Sequence, residues 1–169
     1  MNVTLIGMAG AGKSYIGRRL ANKLAFQFVD FDDALAARYG KDIQEILDEV
    51  GEKEYLAREA NIIIESTTGK DGLVFSPGGS IVYSPDALGH AKRISKIVYL
   101  AAPFETIEER LRKVPPRAII GLGRKTLREL YDERHPLYEK HAHKIVSTHE
   151  KNLDAVLNEI IEFLNASQN

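Results

Sequence analysis

The sequence predicts an α/β fold, a central parallel sheet covered by helices on both faces. Three observations predict it. Short runs rich in Val, Ile and Leu read as buried strands. Between them lie amphipathic stretches of helical period, and such strand–helix alternation is the signature of parallel sheets. A glycine-rich turn, GMAGAG, joins the first apolar run to the first amphipathic stretch. No repeat, low-complexity tract or linker divides the chain, so residues 1–169 read as one domain.

The elements follow in order. VTLI (Val3–Ile6) reads as a strand, and Lys13 to about Ala25 as a helix. FQFVD (Phe26–Asp30) is a second strand, followed by a helix from Asp33 to Tyr39 that Gly40 ends. Ile43 to about Thr67 is helical, with an interruption near Gly51. LVFS (Leu73–Ser76) is a third strand, stopped by Pro77-Gly78-Gly79. IVYL (Ile97–Leu100) is a fourth, and a helix runs from Phe104 to Lys113. Pro115 and Pro116 break that helix and open a Gly/Arg-rich segment reaching Arg124. Helix resumes over Thr126–Ala142, KIVST (Lys144–Thr148) is a short strand, and Leu153–Asn165 is a closing helix. In parallel sheets ligands sit beyond the carboxyl ends of the strands. The loops after Ile6, Asp30, Ser76 and Leu100 are therefore where chemistry is expected.

Composition narrows the function. The formal net charge is −1, so no whole-molecule field attracts nucleic acid or an anionic membrane. Cysteine is absent, which removes disulfides, thiolate zinc sites and thiol catalysis. No run approaches a membrane span, and the start of the chain lacks the pattern of a signal peptide. A cytoplasmic protein is the expectation, and nothing in the sequence requires more than a monomer.

Gly7-Met8-Ala9-Gly10-Ala11-Gly12-Lys13-Ser14 satisfies G-x-x-x-x-G-K-[ST] between a strand and a helix, the context that gives the pattern its meaning. Its glycines let backbone N–H groups point inward around phosphate oxygens, and the helix N-terminus adds partial positive charge. Gly7, Gly10, Ala11, Gly12, Lys13, Ser14 and Tyr15 are the expected nucleotide contacts. Lys13 reaches the β- and γ-phosphates, and the Ser14 hydroxyl ligates Mg²⁺. A GTPase would need an Asn-Lys-x-Asp guanine reader, which is missing. Motors and helicases place acids after a buried strand, where this chain has Phe75-Ser76-Pro77-Gly78-Gly79. A small-molecule kinase, which must mainly place two substrates and exclude water, fits better.

Asp30-Phe31-Asp32 closes the second predicted strand. Residues two apart in extended chain point the same way, so both carboxylates are expected to face the phosphate loop. Phosphoryl transfer to an alcohol needs one carboxylate for Mg²⁺ and one to accept or position the hydroxyl proton. Asp30 suits the first task and Asp32 the second, with Asp33 as helix cap.

GMAGAGKSYIGRRLA, FVDFDD, GKDIQEILDEVGEKEY, PGG and ERHPLYEKHA resemble the shikimate kinase family in order and spacing, from about residue 2 to 165. The resemblance implies a P-loop kinase, a three-layer α/β/α core with a small helical acceptor-binding lobe at about 33–61 and a mobile lid at about 112–125. It also implies ATP as donor, Mg²⁺ as cofactor, a small polyhydroxy acid as acceptor, and a place in aromatic amino acid biosynthesis. By the same resemblance Asp30 is the metal-side aspartate and Asp32 holds the acceptor hydroxyls. Arg110 packs on adenine, Arg117 is the lid arginine that reaches the transferring phosphate, and Arg134 grips the acceptor carboxylate. Where the family continues Pro-Leu-Leu after the lid arginine, this chain has Ala118-Ile119-Ile120. Arginines usually dress the solvated surface, but Arg117 lies in a Pro/Gly-flanked segment suited to closing over phosphates. His141 and His143 read as a surface pair rather than metal ligands, and Tyr99 and Tyr138 as core residues.

The departures gather on the acceptor side. The family's Gly-Glu-x-x-Phe-Arg-x-x-Glu helix supplies a second arginine to the acceptor carboxylate, and here that position is Leu56. Arg58 lies about 200° further around the helix. Lys53, one turn before Leu56, shares its face and is the candidate replacement, at the loss of bidentate geometry. Glu59 then lacks a cation and is expected to repel an anionic acceptor. Where the family has three glycines this chain has Gly78-Gly79-Ser80; the two glycines allow close backbone approach, and Ser80 adds a hydroxyl. Shikimate is the leading acceptor. A less anionic alcohol, a nucleotide, or a nucleotide-binding regulatory role without transfer remain the alternatives.

Overall fold

In the computed structural model, which describes residues 1–167, the first apolar run forms a strand from Asn2 to Ile6 (β1). The one-domain span of 1–169 extends two residues beyond those described. All five residues of β1 are buried, as expected of a strand with both faces covered. Four more strands follow: Gln27–Asp30 (β2), Leu73–Ser76 (β3), Ser95–Ala101 (β4) and Lys144–Ser147 (β5). All neighbours pair in parallel, in the order β2-β3-β1-β4-β5. β2 and β5 are the edges, which is why their residues are mostly part-exposed while β1 and β3 are wholly buried.

The helices are Lys13–Leu24 (α1), Phe31–Tyr39 (α2), Ile43–Thr67 (α3), Pro85–Ile94 (α4), Phe104–Arg112 (α5), Leu127–His141 (α6) and Leu153–Ala166 (α7). α1 packs on β2, β3 and α7, while α4 and α6 pack on β4, and α3 lies against α2 and α4. Gly51 breaks the helical path inside α3 with φ 75°, the interruption expected there. Asp42 and Thr126 start α3 and α6 with capping boxes, each paired with a glutamate three residues on.

Two elements are missing from the sequence prediction: α4 and the 3₁₀ turn Gly79–Tyr83 that follows β3. The Ser84-Pro85 start is a legible helix signal. Behind it, Asp86 and Gly89 mask the apolar stripe of Ala87, Leu88 and Ala91. β4 also begins two residues earlier than predicted, because Asn2 pairs with Ser95 and carries the ladder back to it.

One packing contact yields a test. Gly17 on α1 faces the sheet, and a Cβ there would lie 2.3 Å from the Phe28 ring and 3.2 Å from Leu5. Gly17→Ala gains up to about 1 kcal/mol of helix propensity, against about 1–3 kcal/mol for overpacking. The overpacking term wins because Leu5 is fully buried behind the ring. Thermal unfolding should show a midpoint lowered by about 2–6 °C; an unchanged or raised midpoint would show that the strand yields freely.

Candidate active site

The glycine-rich loop turns between β1 and α1. Gly7 has φ 147°, and a Cβ there would lie 2.8 Å from the Leu100 carbonyl oxygen, so only glycine fits the turn. Lys13 opens α1 and folds its ammonium over the loop, donating to the carbonyls of Gly7 at 2.9 Å and Met8 at 3.1 Å. Burial lowers its pKa to about 8, with Arg117 acting in the same sense and Asp32 and Asp30 opposing. Phosphate oxygens beside it would hold the proton on.

The Ser14 hydroxyl donates to the Asp30 carboxylate. The other Asp30 oxygen accepts from the Asp32 N–H at 3.1 Å and caps α2. A hydroxyl and a carboxylate oxygen side by side at the phosphate loop are hard donors that fit Mg²⁺. No cluster of three acidic or histidine side chains forms a cation cage among the described residues. Ser14 and Asp30 are the residues that would hold a magnesium ion here.

The strand geometry expected for the two aspartates is corrected. β2 ends at Asp30, and Asp32 stands in the first turn of α2. The cap is Asp30 rather than Asp33, which instead pairs with Arg18 at 3.2 Å on the surface. The early turn into helix still brings Asp32 to the phosphate loop. Its carboxyl is raised above the usual range by burial, against the pull of the Lys13 ammonium.

Two cavities meet at this point. One is lined by Gly10, Gly12, Ser14, Tyr15, Asp30 and Arg110, among others. The other is lined by Tyr55, Gly78, Gly79, Ser80, Ala118–Ile120 and Arg134. Lys13, Asp32 and Arg117 line both.

On the first cavity, Arg110 is pinned by donation to the Gly10 carbonyl at 3.2 Å and to Thr148 at 3.3 and 3.1 Å. Its planar group also lines a neighbouring hollow with Tyr15, Thr148, Lys151 and Leu153. Tyr15 is exposed, its ring under the Arg19 guanidinium at 3.6 Å. Ala11 packs in the loop core.

On the second, Arg134 is 2% exposed. It donates to the Ile120 carbonyl and to the Tyr83 hydroxyl at 3.3 Å, and no carboxylate pairs with it among the described residues. A buried guanidinium without an anion is costly, which makes it a ready counterion for an acceptor carboxylate. Gly79 sits against the Tyr138 hydroxyl, the Gly7 carbonyl and Arg134, where a Cβ would come within 3.0, 3.2 and 3.4 Å. Tyr138 and Tyr99 are fully buried, and Tyr138 donates to the Gly79 carbonyl at 2.5 Å.

The structure moves Lys53 away from this cavity. Lys53 and Leu56 do share a helix face, but that face lines a separate cleft against Tyr83, Pro85 and Arg93 of the α4 side. Tyr55 and Glu59 occupy the face toward Asp32 and Gly78, because the path through Gly51 sets the phase of the second half of α3. Glu59 is likewise not presented to the cavity. It stands behind the wall, 1% exposed, bound to the Gly78 N–H and the Ser80 hydroxyl. Ala9 of the glycine-rich loop also lines it, and Tyr55, Ile43 and Ile120 complete the lining without a local motif that would have revealed them.

The profile of the shikimate kinase family matches residues 9–165. The chain belongs to the shikimate kinase family. A shikimate kinase of Francisella philomiragia is 36% identical over 165 residues, covering 96% of this chain and 94% of that protein. The structure of the Acinetobacter baumannii shikimate kinase in complex with shikimate aligns with TM-score 0.86 and 28% identity over 98% of this chain and 93% of that one. The Aquifex aeolicus shikimate kinase aligns with TM-score 0.81 and 29% identity over 99% and 98%. As a member of the shikimate kinase family, the protein is a small-molecule kinase, a transferase acting on an alcohol. Its five-stranded parallel sheet is the core of that P-loop kinase fold. No helix among the described residues is long and apolar enough to cross a membrane.

Proposed function

We propose that this chain transfers the γ-phosphate of ATP to a hydroxyl of shikimate. The observation that carries this reading is that Lys13, Asp32 and Arg117 are shared by two otherwise separate cavities. The phosphate loop, Ser14 and Asp30 assign the first cavity to the nucleotide, with Arg110 and Tyr15 beside its base. The buried Arg134, the close-approach glycines Gly78 and Gly79, and Ser80 assign the second to a small hydroxylated anion. The shared residues then stand where the two substrates meet.

Each performs one task there. Asp32 receives the acceptor hydroxyl proton as its oxygen bonds to the γ-phosphorus and the bond to the β–γ bridging oxygen breaks. Its raised carboxyl pKa makes it a better base than a solvated aspartate. Lys13 neutralises the β- and γ-oxygens. Arg117, which makes no hydrogen bond within the protein among the described residues, is free to take the charge of the moving phosphoryl group. Ser14 and Asp30 would hold Mg²⁺, whose charge would offset that of the phosphate groups.

The acceptor cavity is narrow, about 40 Å³, because Ala118–Ile120 lie across it. An acceptor larger than a water or two requires that segment to lift. That supports a lid at about 112–125 over a helical acceptor lobe at about 33–61, the arrangement that excludes water from the transfer.

Acceptor-dependent ADP release tests the reading directly. Shikimate should be turned over well ahead of uncharged polyols and nucleosides. Turnover of an uncharged polyol and not of shikimate would replace the acceptor, and ATP binding with no turnover on any alcohol would leave a nucleotide binder.

A further inference from the structure

Glu59 has no part in the transfer just described, yet its carboxylate is built into the acceptor wall. It lies on α3 one helical turn after Tyr55 and is 1% exposed. Its Oε1 accepts from the Gly78 N–H at 2.9 Å and its Oε2 from the Ser80 hydroxyl at 3.2 Å. No lysine, arginine or histidine forms an ion pair with it among the described residues. A Cβ on Gly78 would lie 2.6 Å from Oε1, so the wall is pressed onto the carboxylate. A buried carboxylate held only by neutral donors is an expensive arrangement, and both of those donors belong to the acceptor wall.

A serine hydroxyl has one hydrogen and two lone pairs, and its rotor turns to suit its surroundings. Spending the hydrogen on Glu59 removes that freedom. Ser80 is 5% exposed and among the residues lining the cavity, and its oxygen then offers lone pairs alone. Arg134 lies against the neighbouring Gly79 and lines the same cavity, so the cavity carries both an anion holder and a hydroxyl receiver.

We propose that Glu59 is a positioning residue that orients the Ser80 hydroxyl as a hydrogen-bond acceptor, so that Ser80 selects an acceptor molecule donating a second hydroxyl there. This rests on the transfer reading above and adds to it the substrate class: a hydroxy acid with one alcohol for Asp32 and another for Ser80. An ether, a carbonyl or a deoxy carbon facing Ser80 is disfavoured, because neither lone pair faces lone pair without repulsion nor a methylene donates.

The ionisation of Glu59 agrees with this geometry. Burial and then the Asp32 carboxylate raise its pKa to about 7, while the Gly78 N–H, the Ser80 hydroxyl and Lys13 pull it down. The titratable and charged groups around it are Asp32 of α2, Lys13 of α1, Tyr55 of α3 itself, Tyr138 of α6 and, beyond Gly79, Arg134. Below about pH 7 the protonated Glu59 donates to Ser80 instead of accepting, which occupies one Ser80 lone pair and releases the Ser80 hydrogen to turn toward the cavity.

The test compares KM for shikimate and for ATP in the full chain, Glu59→Gln and Ser80→Ala, from pH 6 to 8.5. Glutamine keeps the size of Glu59, but with its oxygen on Gly78 it turns an NH₂ donor toward Ser80. Both variants should raise the shikimate KM about 3- to 10-fold, the worth of one hydrogen bond, with ATP KM unchanged. With a panel of mono-deoxy shikimates, one analogue should lose the difference between the parent and Ser80→Ala. In the parent, shikimate KM should rise as pH falls through about 7; Glu59→Gln and Ser80→Ala should each lose that step, the first because it removes the titrating group and the second because it removes the hydroxyl that carries its effect. A Ser80→Ala penalty equal for every analogue, or none at all, overturns the proposal. Should Glu59→Gln fold poorly, seen as a lowered unfolding midpoint, Ser80→Ala with the deoxy panel decides alone. Should the parent fail to use shikimate while using another hydroxy acid, the acceptor assignment falls, and the same comparison on deoxy forms of that acid decides the role of Glu59.

Discussion

Asp32→Asn should lower kcat by about 10²–10⁴-fold, the usual worth of a positioned base and equivalent to about 3–5 kcal/mol of barrier. Asparagine has the shape of aspartate and keeps a hydrogen bond to the acceptor hydroxyl, but it cannot take the proton. ATP affinity should change by less than about threefold, because the loop, Lys13 and Ser14 hold the phosphates without Asp32. The structure removes a competing explanation of any loss. Asp30, not Asp32, caps α2, so the substitution leaves the helix start intact and the unfolding midpoint should stay put. Steady-state ADP release with isothermal ATP titration on the same preparation checks both halves. A rate within a few-fold of the parent would strip Asp32 of its role.

Arg117→Gln comes next in size, about 10³-fold in kcat, in the range of arginines that neutralise a moving phosphoryl group. The residue is exposed and makes no hydrogen bond among the described residues, so its loss should not alter thermal stability. Its only resolved influence is electrostatic, on Lys13 and Asp32, the other two residues that line both cavities. Arg117→Lys should recover a minor part of the rate, since the ammonium supplies charge but not the planar fork. Single-turnover measurement with saturating ATP separates this from slow product release. A lysine variant as fast as arginine would mean that charge alone suffices, and a fast glutamine variant would free Arg117 from the transfer step.

The glycine-rich loop and its place between strand and helix were legible in the sequence. A loop whose glycines, lysine and serine are consecutive has its geometry dictated by eight neighbouring residues, and the strand before it and helix after it were readable from period alone. Asp30 and Asp32 do lie at the loop, but not through the geometry expected. A strand end would present both from one face, whereas Asp30 is the extended cap and Asp32 reaches the loop from the first turn of α2, and only the observed helix start at Phe31 chooses between these. Lys53 failed for a related reason. Spacing places it on the Leu56 face, yet spacing is silent on which way that face points after the break at Gly51.

Ser80, Tyr55 and Ile120 meet around one cavity, with Glu59 behind its wall, although they come from α3, the turn after β3 and the segment before α6. Their adjacency depends on helix phase, on sheet order and on the path of connecting segments, each the sum of many small packing terms across the molecule. A phosphate cradle needs only a few successive backbone amides, so a short string of letters encodes it whole. An acceptor wall needs side chains from distant elements brought within hydrogen-bond reach, and that meeting is written nowhere along the chain until the core has packed.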